Sequence, residues 1–126
     1  MPVRVERQRL EQMIEAAIAS LPDQFRSALD VVRIELRDRP TRRQLRSVGL
    51  ADDELLLGLY EGTPLTERHI DDTGRLPDVI YLFHEDLEDA CDSEDEFQSE
   101  VRITLLHELG HYFGFDEDQL DALGYG

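Results

Sequence analysis

Apolar residues recur first at helical spacing. Leu10, Met13, Ile14, Ala17, Ile18 and Leu21 fall three and four positions apart, which predicts an amphipathic first helix. Pro22 suits the first turn of a short second helix carrying Phe25, Ala28 and Leu29. The period then changes to two. Val32, Ile34 and Leu36 alternate with Arg33, Glu35 and Arg37, as in a half-buried strand, and Arg39-Pro40 ends it. Residues 41–53 show no regular period, and no element is assigned to them.

Leu55 to Tyr60 reads as a second strand, closed by the turn Gly62-Thr63-Pro64 and followed by a polar loop from Thr66 to Pro77. Val79 to Phe83 is apolar almost throughout, which predicts a third strand buried on both faces. Ser93 with Glu96 three residues later makes a capping-box signature, and acids at 94–96 suit a helix N-terminus. That helix should run to about Phe113, with Phe97, Val101, Leu105, Leu109 and Tyr112 on its apolar side and Gly114 just past its end. Asp116 with Gln119 can cap a final short helix ending near Gly124. The sum is an α+β fold. A small three-stranded sheet packs with an N-terminal helix, a long helix and a short C-terminal helix, in one domain over residues 1–126.

Composition narrows the function more than the fold. The chain has 126 residues, 40% of them hydrophobic, which is enough for one packed core. No apolar run is long enough to cross a bilayer, and charges interrupt the N-terminus where a secretory signal would be apolar. A soluble cytoplasmic protein is expected. Cys91 is the single cysteine, so no internal disulfide can form, and its acidic neighbours do not favour a reactive thiolate. The formal net charge is −16. From residue 84 onward Arg102 is the only arginine, against a long series of acids. Such a field repels nucleic acid and anionic membrane, and it attracts cationic substrates. Arg33, Arg37, Arg39, Arg42, Arg43 and Arg46 lack interleaved aromatics, so they read as a solvated, salt-bridged face.

The chemistry concentrates at His107-Glu108-Leu109-Gly110-His111. Spacing of four puts both imidazoles on one helical face, where they can converge on one metal ion. Glu108 lies about 100° further round the axis, able to reach a bound water without being a ligand. Leu105, Leu106, Leu109 and Phe113 make the surroundings apolar, and two close buried imidazoles are hard to satisfy without a metal. Tetrahedral zinc needs a third protein ligand, leaving the fourth position to water. Asp116, Glu117 and Asp118 follow the turn at Gly114; Asp116 is the expected cap, and Glu117 is preferred to Asp118 as the ligand. His84, after the third strand, is read as incidental.

Residues 107–117 resemble the extended zincin pattern HExxHxxGxx followed by a third ligand, which is His in metzincins and Asp in Asp-zincins. The segments LPDQF, IELRDRP, LLGLYEGTPLTER, LPDVIYLF and TLLHELGHYFGFDEDQL together resemble the minimal zincin-like metallopeptidase family of small bacterial proteins, over about residues 10–124. The resemblance implies a stripped-down zincin domain without the usual Met-turn, and peptidase activity. Glu117 departs from it by standing where Asp-zincins carry Asp.

The expected function is therefore zinc-dependent peptide hydrolysis, with His107, His111 and Glu117 as ligands and Glu108 as general base. Its partner would be a peptide or protein substrate, with neither nucleic acid nor membrane; the oligomeric state is not legible. Tyr60, Tyr81 and Tyr112 are the candidate oxyanion donors, and the second strand offers an edge for an extended peptide. A metal-binding interaction module with little proteolysis is the alternative, and hydrolysis of a non-peptide amide would use the same residues.

Overall fold

The computed structural model describes residues 2–67 and 77–125. Among the described residues, six helices and a three-stranded mixed sheet make an α+β fold. Helices α1 (Arg7–Ala19) and α2 (Asp23–Ala28) precede strand β1 (Arg33–Arg37). Helix α3 (Arg42–Ser47), strand β2 (Gly58–Glu61) and a 3-10 turn (Leu65–Glu67) follow. Strand β3 (Val79–Phe83) leads directly into helix α4 (His84–Ala90), then α5 (Glu94–Phe113) and α6 (Glu117–Ala122). Among the described residues, no helix is long and apolar enough to cross a membrane. The polar loop expected from Thr66 to Pro77 lies for the most part outside the described residues.

β3 is the central strand, parallel to β1 and antiparallel to β2. That position explains its apolar run: both its faces are covered, and Ile80, Leu82 and Phe83 are fully buried. Ile34 and Leu36 lie beside Ile80 and Leu82 in register, with Gly58 and Tyr60 on the other flank. This face packs on α5, which crosses β2 so closely that a Cβ at Gly58 would overlap Thr104. α1 packs against α5 and adds Leu10, Met13, Ile14 and Ala17 to the core. The opposite face carries Arg33 and Arg37 paired to Glu35 at 2.8 and 2.5 Å, and Arg37 lies over the Tyr81 ring at 5.4 Å. The arginines of this strand thus form the salt-bridged face that their lack of aromatic interleaving implied.

Several boundaries differ from the sequence reading, each for a local reason. The second strand starts at Gly58, not Leu55, because the Leu56 N–H turns away to donate to Asp86 Oδ2 at 3.0 Å. Ser93 caps α5 by accepting from Glu96 N–H at 3.1 Å, but no reciprocal box closes. The Glu96 carboxylate lies instead against Asp92 N–H, at 3.5 Å. Pro22 is the N-cap of α2 and not part of its first turn. Two helices were not expected at all. α3 is opened by a reciprocal box between Thr41 and Gln44. α4 grows out of β3 with no side-chain cap, burying Asp86, Leu87 and Glu88. Cys91, at its end, is buried among apolar side chains, and burial pushes its thiol pKa up, helped by Glu100, Glu96 and Asp92.

Candidate metal centre

The last turns of α5 hold His107 and His111 with their Nε2 atoms 3.1 Å apart. The helix ends where Gly114 takes φ 93°, a left-handed conformation that glycine adopts without steric cost. Phe115 N–H then donates back to Gly110 O at 2.9 Å and Gly114 N–H to His111 O at 3.0 Å, the two bonds of a Schellman turn. This reversal returns the Phe115 carbonyl to His111, whose Nδ1 donates to it at 3.2 Å. The Nδ1 of His107 donates to the Tyr125 carbonyl at 2.9 Å. A carbonyl can only accept, so Nδ1 of each imidazole is the donor, and a neutral ring then keeps its lone pair on Nε2. Both Nε2 lone pairs therefore face the same small space.

α6 brings a carboxylate to that space. Asp116 and Gln119 form the reciprocal box that starts it, and Leu120 is fully buried against Gly110 of α5. Only a residue without a side chain allows this approach, since a Cβ at position 110 would overlap Leu120. Glu117, in the first turn, places Oε1 at 2.9 Å from His111 Nε2 and 3.3 Å from His107 Nε2. Asp118 is exposed and, among the described residues, makes no ion pair with either histidine.

The donor set fits a metal ion. With both imidazoles neutral and Nδ1 protonated, the two Nε2 lone pairs and the carboxylate oxygen are all acceptors with no hydrogen between them. A cation satisfies all three at once. Ligands about 2.0–2.1 Å from a tetrahedral zinc stand about 3.3 Å from one another. The three separations here, 2.9, 3.1 and 3.3 Å, come close to that. Two nitrogens and one oxygen are also a ligand set that zinc takes at sites with an open fourth position.

Glu108 lies beside the cluster on different terms. Its Oε1 accepts the Tyr60 N–H at 2.8 Å, and its Oε2 is 3.8 Å from His107 Nε2. Phe83 N–H donates to Leu57 O, so hydrogen-bonded pairing in the β2–β3 ladder falls at alternate residues from Leu57, and the Tyr60 N–H points out from the edge. Glu108 occupies that edge donor. Burial raises its pKa, an effect reduced by His111, His107 and the Tyr60 hydrogen bond and reinforced by Glu117. Its proximity brings it into the metal-capable group, but Glu117 is nearer to both histidines.

A cleft of about 570 Å³ opens over the cluster, walled by Val48, Leu50 and Pro64 as well as by β2. Sequence reasoning missed this wall because Val48 and Leu50 fall in the stretch without a period. It also missed the backbone partners, the Tyr60 N–H and the carbonyls of Phe115 and Tyr125, which no residue type announces. Of the tyrosines, Tyr60 lines the cleft and its hydroxyl donates to Asp78 Oδ1 at 2.6 Å. Tyr112 is buried edge-on to Tyr60, and Tyr81 lies on the far face of the sheet beside Arg37 and Phe83. Tyr81 is thereby removed as an oxyanion donor. His84 sits apart from the cluster, its Nε2 bonded to Asp38 Oδ1 at 2.7 Å.

A search of curated proteins returned no match. Among solved structures, a conserved hypothetical protein from Thermo thermophilus is similar, with a TM-score of 0.55 at 22% identity over 94% of this chain and 97% of that one. At that identity the likeness speaks for the fold. The zincin-like metallopeptidase family matches residues 29–126, a span holding the whole sheet and all four clustered side chains. On that match, the chain belongs to the zincin-like metallopeptidase family.

Proposed function

We propose that the protein is a zinc-dependent peptidase in which His107, His111 and Glu117 hold the ion and Glu108 is the general base. The observation that carries this reading is the divided bonding of Glu108. One carboxylate oxygen is anchored by the Tyr60 N–H, while the other stands 3.8 Å from a ligand nitrogen. A purely structural site has no use for a buried carboxylate held in that position. Zinc, when bound, supplies Lewis acidity toward a carbonyl and acidifies water. Glu108 accepts the proton of the attacking water and returns it to the leaving amine. The raised proton affinity that burial gives Glu108 suits both steps. Apolar side chains wall much of the cleft, and the open edge of β2 offers main-chain groups to an extended peptide.

Glu108→Gln tests the reading. Metal content should match the parent, while cleavage of a peptide library should fall by about 10²–10⁴-fold. Equal cleavage by both proteins removes Glu108 from the chemistry. A parent protein that retains its metal and cleaves nothing supports a metal-binding interaction module instead.

A further inference from the structure

The cleft does not end at the histidines. On the other side of His107 and Glu108 a second recess of about 200 Å³ continues it, sharing Leu56 and Gly58 as floor. Its walls include Leu57, Ile103 and the carboxylate-bearing Glu100. Glu100 is half-buried. Among the described residues it has neither a hydrogen-bond nor an ion-pair partner, although its helix neighbours are engaged: Glu94 pairs with Arg9 at 3.1 Å, and Glu96 lies against Asp92 N–H. Among the described residues, no arginine lines the recess.

We propose that this recess is a specificity subsite that takes a lysine or arginine side chain of the substrate, with Glu100 as its counter-charge. The inference rests on the peptidase reading and names the substrate class for it. A carboxylate with no ion-pair partner among the described residues, lining a recess that Glu108 also borders, attracts a cation and repels an anion, and the surrounding acidic half of the chain extends that field. The apolar side chains of Leu57 and Ile103 suit the methylene stem of a long basic side chain, which lies along apolar surface while its head reaches a charge. Glu100 and His107 stand seven positions apart on α5. Two helical turns leave them on nearly one face, about 10 Å apart along the axis. An extended peptide advances about 3.3 Å per residue, so the basic side chain belongs two or three positions from the bond cleaved. It belongs on one side of that bond only, the side toward the N-terminus of α5.

The test uses heptapeptides of alanine and serine with a single arginine, citrulline or glutamate moved through the positions. Binding to the zinc-loaded Glu108→Gln protein is measured alongside cleavage by the parent. Arginine at one position should bind about tenfold more tightly than citrulline. Glu100→Gln should abolish that difference, and Glu100→Arg should turn the preference toward glutamate, both with metal content unchanged. Equal binding of arginine and citrulline peptides, or a preference that survives Glu100→Gln, overturns the subsite. Selective binding lost in Glu100→Gln, without any cleavage by the parent, keeps the subsite and removes the peptidase reading. Cleavage indifferent to residue 100 does the reverse, and neither binding nor cleavage of any peptide overturns both.

Discussion

The Nδ1 of His107 donates to the carbonyl of Tyr125 at 2.9 Å, tying one candidate metal ligand to the chain eighteen residues further on. The Tyr125 N–H in turn donates to Leu120 O at 2.9 Å, and its ring meets Phe25 edge-on at 5.9 Å. The carbonyl is therefore held from two directions, and it fixes both the tautomer and the orientation of the imidazole. Loss of such an outer partner typically costs about 10–100-fold in metal affinity. A chain ending at Gly124 should show a loss of that size in competition with a zinc chelator, at nearly parental helix content. Unchanged affinity would mean that His107 is oriented by packing alone.

Gly110 carries a similar burden through shape. Its missing side chain is what lets Leu120 seat on α5 and brings Glu117 to the histidines. Overpacking at such a contact costs about 1–3 kcal/mol. Alanine gains about 1 kcal/mol over glycine in a helix interior, which offsets part of that. Gly110→Ala should thus lose up to about 2 kcal/mol of unfolding free energy, by the difference of those two figures. Its zinc affinity should fall as well, because α6 is pushed outward. A variant as stable as the parent in urea, with parental affinity, would show that Leu120 can step aside.

Legibility in the sequence followed the reach of each signal. α5 was legible because Ser93 and Gly114 mark its ends by local rules, and β3 because an apolar run of five is a local fact. α4 was not, since its N-cap is Phe83, which offers no capping side chain. α3 was missed although its Thr41–Gln44 box is written in the sequence, because a six-residue helix is too short to show a period. The placement of β3 between β1 and β2 depends on pairing over long separations, which no local pattern encodes. At the cluster, the shared face of His107 and His111 follows from helical spacing alone. The Tyr60 N–H and the two carbonyls are backbone groups positioned by tertiary structure, so nothing in their residue types could reveal them.

Arg39 gives a prediction in pH. It meets Glu85, Asp86 and Asp89 at 3.0, 2.7 and 3.0 Å, and its hydrogen bond is the chief cause of a lowered Asp89 pKa. A carboxylate whose folded-state pKa is depressed contributes stability above its unfolded value, near about 3.9, and loses it as pH falls through the folded value. The urea midpoint of the parent should therefore exceed that of Arg39→Gln at pH 6. The gap should narrow steadily as the pH drops through about 4 toward 2. A gap that stays constant over that range would assign the effect of Arg39 to packing and neutral hydrogen bonding.

The choice between Glu117 and Asp118 can be made without any substrate. Both stand in the first turn of α6, both are exposed, and each adds the same charge near the histidines. Geometry separates them: Glu117 Oε1 lies 2.9 and 3.3 Å from the two Nε2 atoms, whereas among the described residues Asp118 makes no ion pair with either histidine. A field effect alone would make the two amide variants equal, and it would shrink with added salt as exposed charges are screened. A ligand bond predicts inequality that salt does not remove. Glu117→Gln should lower zinc affinity at least as much as loss of an outer partner does, about 10–100-fold or more, and Asp118→Asn should stay near the parent. The gap should persist between low and high salt in the chelator competition. Equal losses that fade with salt would show that Glu117 acts as a nearby charge, and the third ligand would then have to be sought elsewhere in the cleft.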